Sequence, residues 1–204
     1  SELARALDRD AAPWEQRLRR LRAAFTAAFW DGRRNLFVDR PLHRPELGEN
    51  LSQLTQAIAV VAGLLPAECD RARLAADLTA LDGRLGTATP PMQGFVLSAL
   101  EPLDAEERLH VLLARQWLNP HILDFGTLPE FWADNAGVVQ SLCQGGGPMV
   151  SWALTHYVLG LRPIAPGFRR FAVKPVPGPL TWARGECPTP AGIITVEWRC
   201  DPAR

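Results

Sequence analysis

The sequence predicts a mainly α chain with a C-terminal β part, and three observations predict it. Apolar residues recur at three-to-four spacing as far as Leu159. Beyond that point prolines crowd in, with eight of the 18 lying between Pro163 and Pro202. The same stretch alternates in character, as in Ile193-Ile-Thr-Val-Glu-Trp198, which is a strand period. The change places a boundary at Arg162-Pro163, giving a helical unit over 1–162 and a β segment over 163–204.

Within the helical unit, Pro13 suits a first turn, and Trp14, Leu18, Leu21, Phe25 and Phe29 form one apolar face. That helix stops at Asp31-Gly32. A second helix covers 49–62, capped by Asn50 or Ser52 and ended by Gly63. A third covers 67–81 and a fourth 91–100. A fifth starts after Asp104, read as its N-cap, and reaches Trp117. The sixth covers 148–159, with Gly160 as its stop. Short links between them read as helical hairpins. Two connections are long, 31–48 and 119–147, and show no clear helix. Loops of that length tend to be functional.

Composition removes several classes. Lys+Arg and Asp+Glu balance at 22 each, with no basic block, so neither nucleic acid nor an acidic membrane is an expected partner. The longest apolar run, Ala57–Leu65, is about half of a membrane span. Cys69, Cys143, Cys187 and Cys200 show no zinc spacing and read as thiols of a reducing, cytoplasmic compartment. Secretion stays open if a leader lies upstream. Cys187 and Cys200 could also meet across neighbouring strands. Most of the seven tryptophans are expected in the core. The four histidines have no ligand spacing, and no metal or cofactor is expected.

The second long connection carries the residues best suited to chemistry. Glu130 stands in Phe125-Gly-Thr-Leu-Pro-Glu-Phe-Trp132, a carboxylate among apolar and aromatic side chains. That suits a general acid or base; the plainer alternative is a loop glutamate beside core aromatics. Trp132 offers a flat apolar face for a sugar ring, and Trp30 is a second such candidate. Asp134 lies in the same polar stretch. Ser141-Leu-Cys-Gln-Gly-Gly-Gly-Pro148 leads into a helix, and its glycines allow close approach to a ligand. It lacks the Lys-Ser/Thr of a phosphate loop. Asp31 is expected to turn the chain rather than touch a substrate.

In order, these segments resemble bacterial α-L-rhamnosidases, glycoside hydrolase family 78. The likeness starts at Phe25-Thr-Ala-Ala-Phe-Trp-Asp31 with Leu36-Phe-Val-Asp39, and continues through Leu51-Ser-Gln53 and Ala59-Val-Val-Ala-Gly-Leu-Leu-Pro66. It is most specific toward the C-terminus, in Val158-Leu-Gly-Leu-Arg-Pro163, Pro166-Gly-Phe-Arg-Arg-Phe171, Val173-Lys-Pro-Val-Pro177, Leu180-Thr-Trp-Ala-Arg-Gly185, Pro188-Thr-Pro-Ala-Gly192 and Ile194-Thr-Val-Glu-Trp198. The resemblance implies half of an (α/α)6 toroid followed by the start of a β-sandwich. It also implies inverting hydrolysis by two carboxyl groups. Thr127-Leu-Pro-Glu130 matches the family's Thr-x-x-Glu base position, which makes Glu130 the implied general base. The implied acid belongs to the upstream half, and no segment here resembles it. Where the family usually has Ser-Leu-Cys-His-Gly-Trp, this chain has Gln144 and Gly146 in place of histidine and tryptophan. Leu54 also replaces a family histidine, and Pro129 a tryptophan.

The resemblance therefore implies the C-terminal part of a rhamnosidase-like hydrolase acting on terminal α-L-rhamnosides. Trp132, Gln144, Asp134 and Trp30 would be its sugar contacts. A non-catalytic sugar-binding or structural relative is the alternative, because the acid half and two histidines are missing. Half a toroid would leave apolar edges for a partner, either an N-terminal half-toroid fragment or a second copy.

Overall fold

The computed structural model describes residues 2–44, 46, 50–118, 120–133 and 141–200. It is mainly helical, with paired short strands toward the C-terminus, as the sequence predicts. Helix α1 (Glu2–Ala6) precedes α2 (Ala12–Phe29), which carries Pro13 in its first turn. A small hairpin follows, β1 (Trp30–Asp31) against β2 (Leu36–Phe37). Asp31 turns it as expected, its Oδ1 accepting the N–H groups of Arg33 at 3.0 Å and Arg34 at 3.3 Å. Next come α3 (Gln53–Val61), α4 (Arg71–Thr79) and α5 (Gln93–Leu100). Ser52 rather than Asn50 caps α3, its hydroxyl accepting from Thr55 N–H at 3.2 Å. Asp70 caps α4 through Arg73 N–H at 3.0 Å.

Helix α6 (Leu109–Leu112) runs on as a wide π turn over Leu113–Trp117. Asp104 does not cap it: its backbone is left-handed (φ 53°), so it ends the preceding turn instead. Helix α7 (Pro120–Phe125) lies in a stretch expected to be loop. Helix α8 (Met149–Ala153) also runs on as a π turn, over Leu154–Val158. Strands β3 (Leu161–Pro163) and β4 (Phe171–Val173) pair antiparallel. Strands β5 (Trp182–Thr189) and β6 (Gly192–Arg199) form the long hairpin. In it Cys187 stands opposite Ile194, while Cys200 N–H bonds Thr181 C=O, so these two cysteines lie at opposite ends and do not meet.

Helix α3 packs on α5, and α5 on α8. Their N-termini lie at one end of the array. Ser52 bridges Gly86 ahead of α5, Gly146 sits over Pro91, and Gly94 touches Met149 at the start of α8. Leu74, Leu78, Leu97, Leu100, Leu109 and Leu112 fill the space behind them. Each fully buried leucine contributes about 2 kcal/mol. The core is thus shared by side chains of α3, α4, α5, α6 and α8.

Buried amides tie these layers where no strand is available. Gln56 accepts from Phe37 N–H at 2.8 Å and donates to its C=O at 2.7 Å. Asn35 treats Asp70 the same way, with both bonds at 2.8 Å. Gln53 reaches Leu78 C=O, Ala88 N–H and the Gln93 amide.

The tryptophans depart from expectation. Trp30 and Trp117 are buried, but Trp14 and Trp182 are 57% and 63% exposed. Leu18 and Leu21 are exposed beside Trp14. The apolar face of α2 therefore has the predicted spacing but little of it meets the core.

Arg162, only 7% exposed, joins the β segment to the helices. Its Nη1 donates to Glu101 at 2.6 Å and Glu106 at 3.3 Å, and its guanidinium lies 5.4 Å from the Tyr157 ring centre. His156 Nε2 lies 3.0 Å from Glu101. Partial burial pushes the Glu101 carboxyl up, but the hydrogen bonds and charges of His156 and Arg162 overrule it and hold it below the usual range. Glu106 is lowered too: burial again acts upward, and its backbone N–H, Lys174 and Arg162 outweigh it. Stability from a lowered carboxyl is present above the ordinary pKa of about 4.3 and is lost as pH falls through the folded value. Arg162→Ala is expected to cost about 3 kcal/mol at pH 7, and less below about pH 4. Thermal unfolding of both proteins from pH 7 to pH 3 checks this; a constant difference would contradict it.

Candidate functional site

The chain on either side of residues 134–140 pairs with itself over the helix N-termini. Glu130 N–H donates to Ser141 C=O at 2.9 Å, and Gln144 N–H to Leu128 C=O at 2.9 Å. Thr127 Oγ1 donates to Leu142 C=O. Gly147 makes this packing possible, because a Cβ there would sit 2.6 Å from the Leu128 Cβ. Gly146 is equally constrained, a Cβ there falling 2.8 Å from Pro91. The glycine run thus seats the loop against the start of α5.

Glu130 is half-buried. Its Oε2 accepts from Ser141 N–H at 3.2 Å, which ties one carboxylate oxygen to the far side of the loop. Among the described residues Oε1 has no hydrogen-bond partner. Trp132 is half-buried as well. Its indole N–H donates to Ala88 C=O at 2.7 Å, the carbonyl that Gln93 also bonds. Its ring meets Trp117 edge-on, with centres 4.9 Å apart. The amide network under α5 therefore sets the indole's position. Trp132→Phe is expected to lower stability by about 1 kcal/mol through the lost N–H bond, or roughly 2–4 °C in Tm. Thermal melts check it, and an unchanged Tm would show that the bond is not made in solution.

Trp132 also lines a cleft of about 390 Å³ with Leu81, Thr87, Arg115 and Gln116. Arg115 is held by a bond to Ala80 C=O at 2.7 Å. The π turn of α6 brings Gln116 and Trp117 to this side. Neither Arg115 nor Thr87 stood out in the sequence, where each lies in an ordinary polar context. Glu130 and Gln144 are not among the lining residues.

The structure thus brings Glu130, Trp132 and Gln144 into one loop. Trp30 is elsewhere, packed with Phe25, Phe29 and Phe37 beside Ala59. Asp134 lies outside the described residues. At the start of α3, Asp39 accepts from Asn50 Nδ2 at 2.6 Å and Ser52 Oγ at 2.9 Å, so its carboxylate is committed to holding the chain. No group of three or more His, Cys, Asp or Glu converges on a metal position among the described residues. Among these residues no helix is long and apolar enough to cross a membrane.

Residues 160–204 match the family model described as bacterial alpha-L-rhamnosidase C-terminal domain. Three solved structures share the fold of most of the chain. The α-L-rhamnosidase of Streptomyces avermitilis, complexed with L-rhamnose, matches 98% of it at 20% identity and a TM-score of 0.76. The chain resembles the α-L-rhamnosidases. The GH78 family rhamnosidase of Bacillus sp. GL1 matches 88% at 23% identity and a TM-score of 0.71. The α-L-rhamnosidase of Aspergillus terreus matches 72% at 24% identity and a TM-score of 0.61. The chain spans 20%, 20% and 19% of the length of these three rhamnosidases. No curated protein matches it. The rhamnosidase likeness thus covers both the helical array and the β segment.

Proposed function

We propose that this chain is the C-terminal part of a rhamnosidase-like glycoside hydrolase that cleaves terminal α-L-rhamnosides with inversion, Glu130 being the general base. The observation that carries the reading is the Glu130 carboxylate itself, with one oxygen tied to Ser141 N–H and the other unpartnered among the described residues. A carboxylate held in this way can orient a water and take its proton as the water attacks the anomeric carbon. Trp132 would stack on the sugar ring, and Gln144 would bond a hydroxyl. The L-rhamnose bound to the Streptomyces relative supports a carbohydrate as the ligand.

Inversion also requires an acid, with the two carboxyls about 6.5–9.5 Å apart. Glu130 is the only carboxylate among the described residues of the loop, 126–133 and 141–147. The resemblance places the acid in the upstream half, so we assign it to a partner, an N-terminal half-toroid fragment or a second copy of this chain. The same observation favours a second reading, a sugar-binding module without turnover.

Hydrolysis of an aryl α-L-rhamnoside, with Glu130→Ala as control, separates these. Turnover that gives β-L-rhamnose first and disappears in the variant supports the base. Turnover that survives in the variant removes Glu130 from the chemistry. Titration of L-rhamnose that shows binding without turnover, with and without an added N-terminal half, favours the second reading.

A further inference from the structure

Ala88 is held on both sides by side-chain amides. Its N–H donates to Gln53 Oε1 at 2.9 Å, and its C=O accepts from Gln93 Nε2 at 3.2 Å. Gln93 Nε2 also donates to Gln53 Oε1 at 3.1 Å, and Gln53 Nε2 donates to Leu78 C=O at 2.8 Å. Both glutamines are buried. The Gln93 NH2 lies between two acceptors and the Gln53 oxygen between two donors, so neither amide can be turned over without setting like against like. The Ala88 carbonyl has a second lone pair, and this one takes the Trp132 indole N–H at 2.7 Å.

Gln93 closes the turn that carries this carbonyl. Its backbone N–H donates to Thr89 C=O at 3.0 Å while its side chain reaches back to Ala88, with a 3-10 turn over Pro90–Met92 between them. The same turn seats the other limb of the loop, because Pro91 lies directly against Gly146. Trp132 and the glycine run thus rest on one platform, residues 88–93.

The side chain that closes this platform adds little to stability by itself. Gln93 Oε1 is buried with no hydrogen-bond partner among the described residues, and a buried acceptor without a donor is unfavourable. Gln93→Met keeps nearly the same shape and creates no new orphan, since Ala88 C=O keeps Trp132 and Gln53 Oε1 keeps Ala88 N–H. What it removes is the tie between the carbonyl and the start of α5.

We propose that Gln93 is a positioning residue for sugar binding: it fixes the Ala88 carbonyl and, through it, the attitude of the Trp132 indole on which the ring stacks. This rests on the reading of Trp132 as the stacking face.

The NMR signals of the indole N–H groups test the first step without any sugar, the Trp132 signal being the one lost in Trp132→Phe. In Gln93→Met the Trp132 indole proton should exchange with water about fivefold faster, while Tm stays within about 4 °C of the unaltered chain. Titration with L-rhamnose, with and without an added N-terminal half, tests the second step. Gln93→Met should weaken binding about fivefold, and Trp132→Ala at least as much. In the Trp132→Ala background Gln93→Met should cost nothing further, because the residue it acts through is gone.

An unchanged indole exchange rate overturns the inference. So does a Tm fall beyond that range, or an equal loss of affinity in both backgrounds, either of which makes Gln93 a residue of the fold alone. An affinity that Trp132→Ala weakens and Gln93→Met leaves intact overturns the inference and spares the stacking reading. Rhamnose that fails to bind, or that binds Trp132→Ala unchanged, removes the stacking reading and this inference with it.

Discussion

Glu130→Ala is expected to lower kcat for an α-L-rhamnoside by about 10²–10⁴-fold in the enzyme that carries this chain. The loss should fall on kcat with KM little changed, because a general base acts mainly on the transition state. The fold should survive. The side chain's one bond among the described residues, to Ser141 N–H, is worth about 1 kcal/mol. Alanine also opens a space where the carboxylate stood. A small anion such as azide, which needs no base, should recover part of the rate by attacking the anomeric carbon and forming an inverted glycosyl azide. Steady-state kinetics with and without azide are the check. A variant with unchanged kcat would exclude the role; a slowed variant that azide fails to accelerate would recast Glu130 as a residue that positions the loop.

Gly160→Ala is expected to cost the most stability, about 4 kcal/mol or more, which is roughly 8–16 °C in Tm for a chain of this length. Gly160 has φ +81°, where an L side chain costs about 1–2 kcal/mol by itself. A Cβ would stand 2.3 Å from Pro175 N and 2.5 Å from the Lys174 carbonyl carbon. Both are backbone atoms, so no side-chain rotation relieves the overlap. The only remedy is to separate the segments, which breaks the Lys174 N–H bond to Gly160 C=O at 2.8 Å. Thermal unfolding measures it, and a loss under about 1 kcal/mol would mean that the two segments do not approach this closely in solution.

The helices were legible because local chemistry sets them. Pro13, Ser52 and Gly160 act where spacing and capping rules put them, whereas α4 starts at Arg71 behind an Asp70 cap, later than the expected start at 67. The departures are tertiary. Asp104 is an acceptable cap in isolation, yet the turn it closes needs a left-handed residue. Helix α7 is only six residues long, Pro120–Phe125, too short to show a period. Trp14 and Trp182 have core composition, but burial depends on what packs against them, which one strand or helix does not encode. Of the site, Glu130 and Trp132 stood out through their apolar setting. What holds them did not: the Ser141 bond spans a loop, and the Ala88 carbonyl is a main-chain atom 44 residues away. Arg162, the joint between helices and strands, looks like any other arginine until Glu101 and Glu106 come to it.

The two seams of this molecule speak different physical languages. Over residues 35–93, Gln53, Gln56 and Asn35 bond main-chain groups with uncharged amides. Between helices and strands, the work falls to Arg162, Glu101, Glu106 and Lys174. Protons and salt act directly on the second seam, whereas the amides of the first neither titrate nor are screened. Acid below about pH 4 should therefore loosen residues 161–199 first, their amide protons exchanging while those of α3 and α5 stay protected. The chain carries a graded response in which its ionic end yields and its amide-stitched end holds.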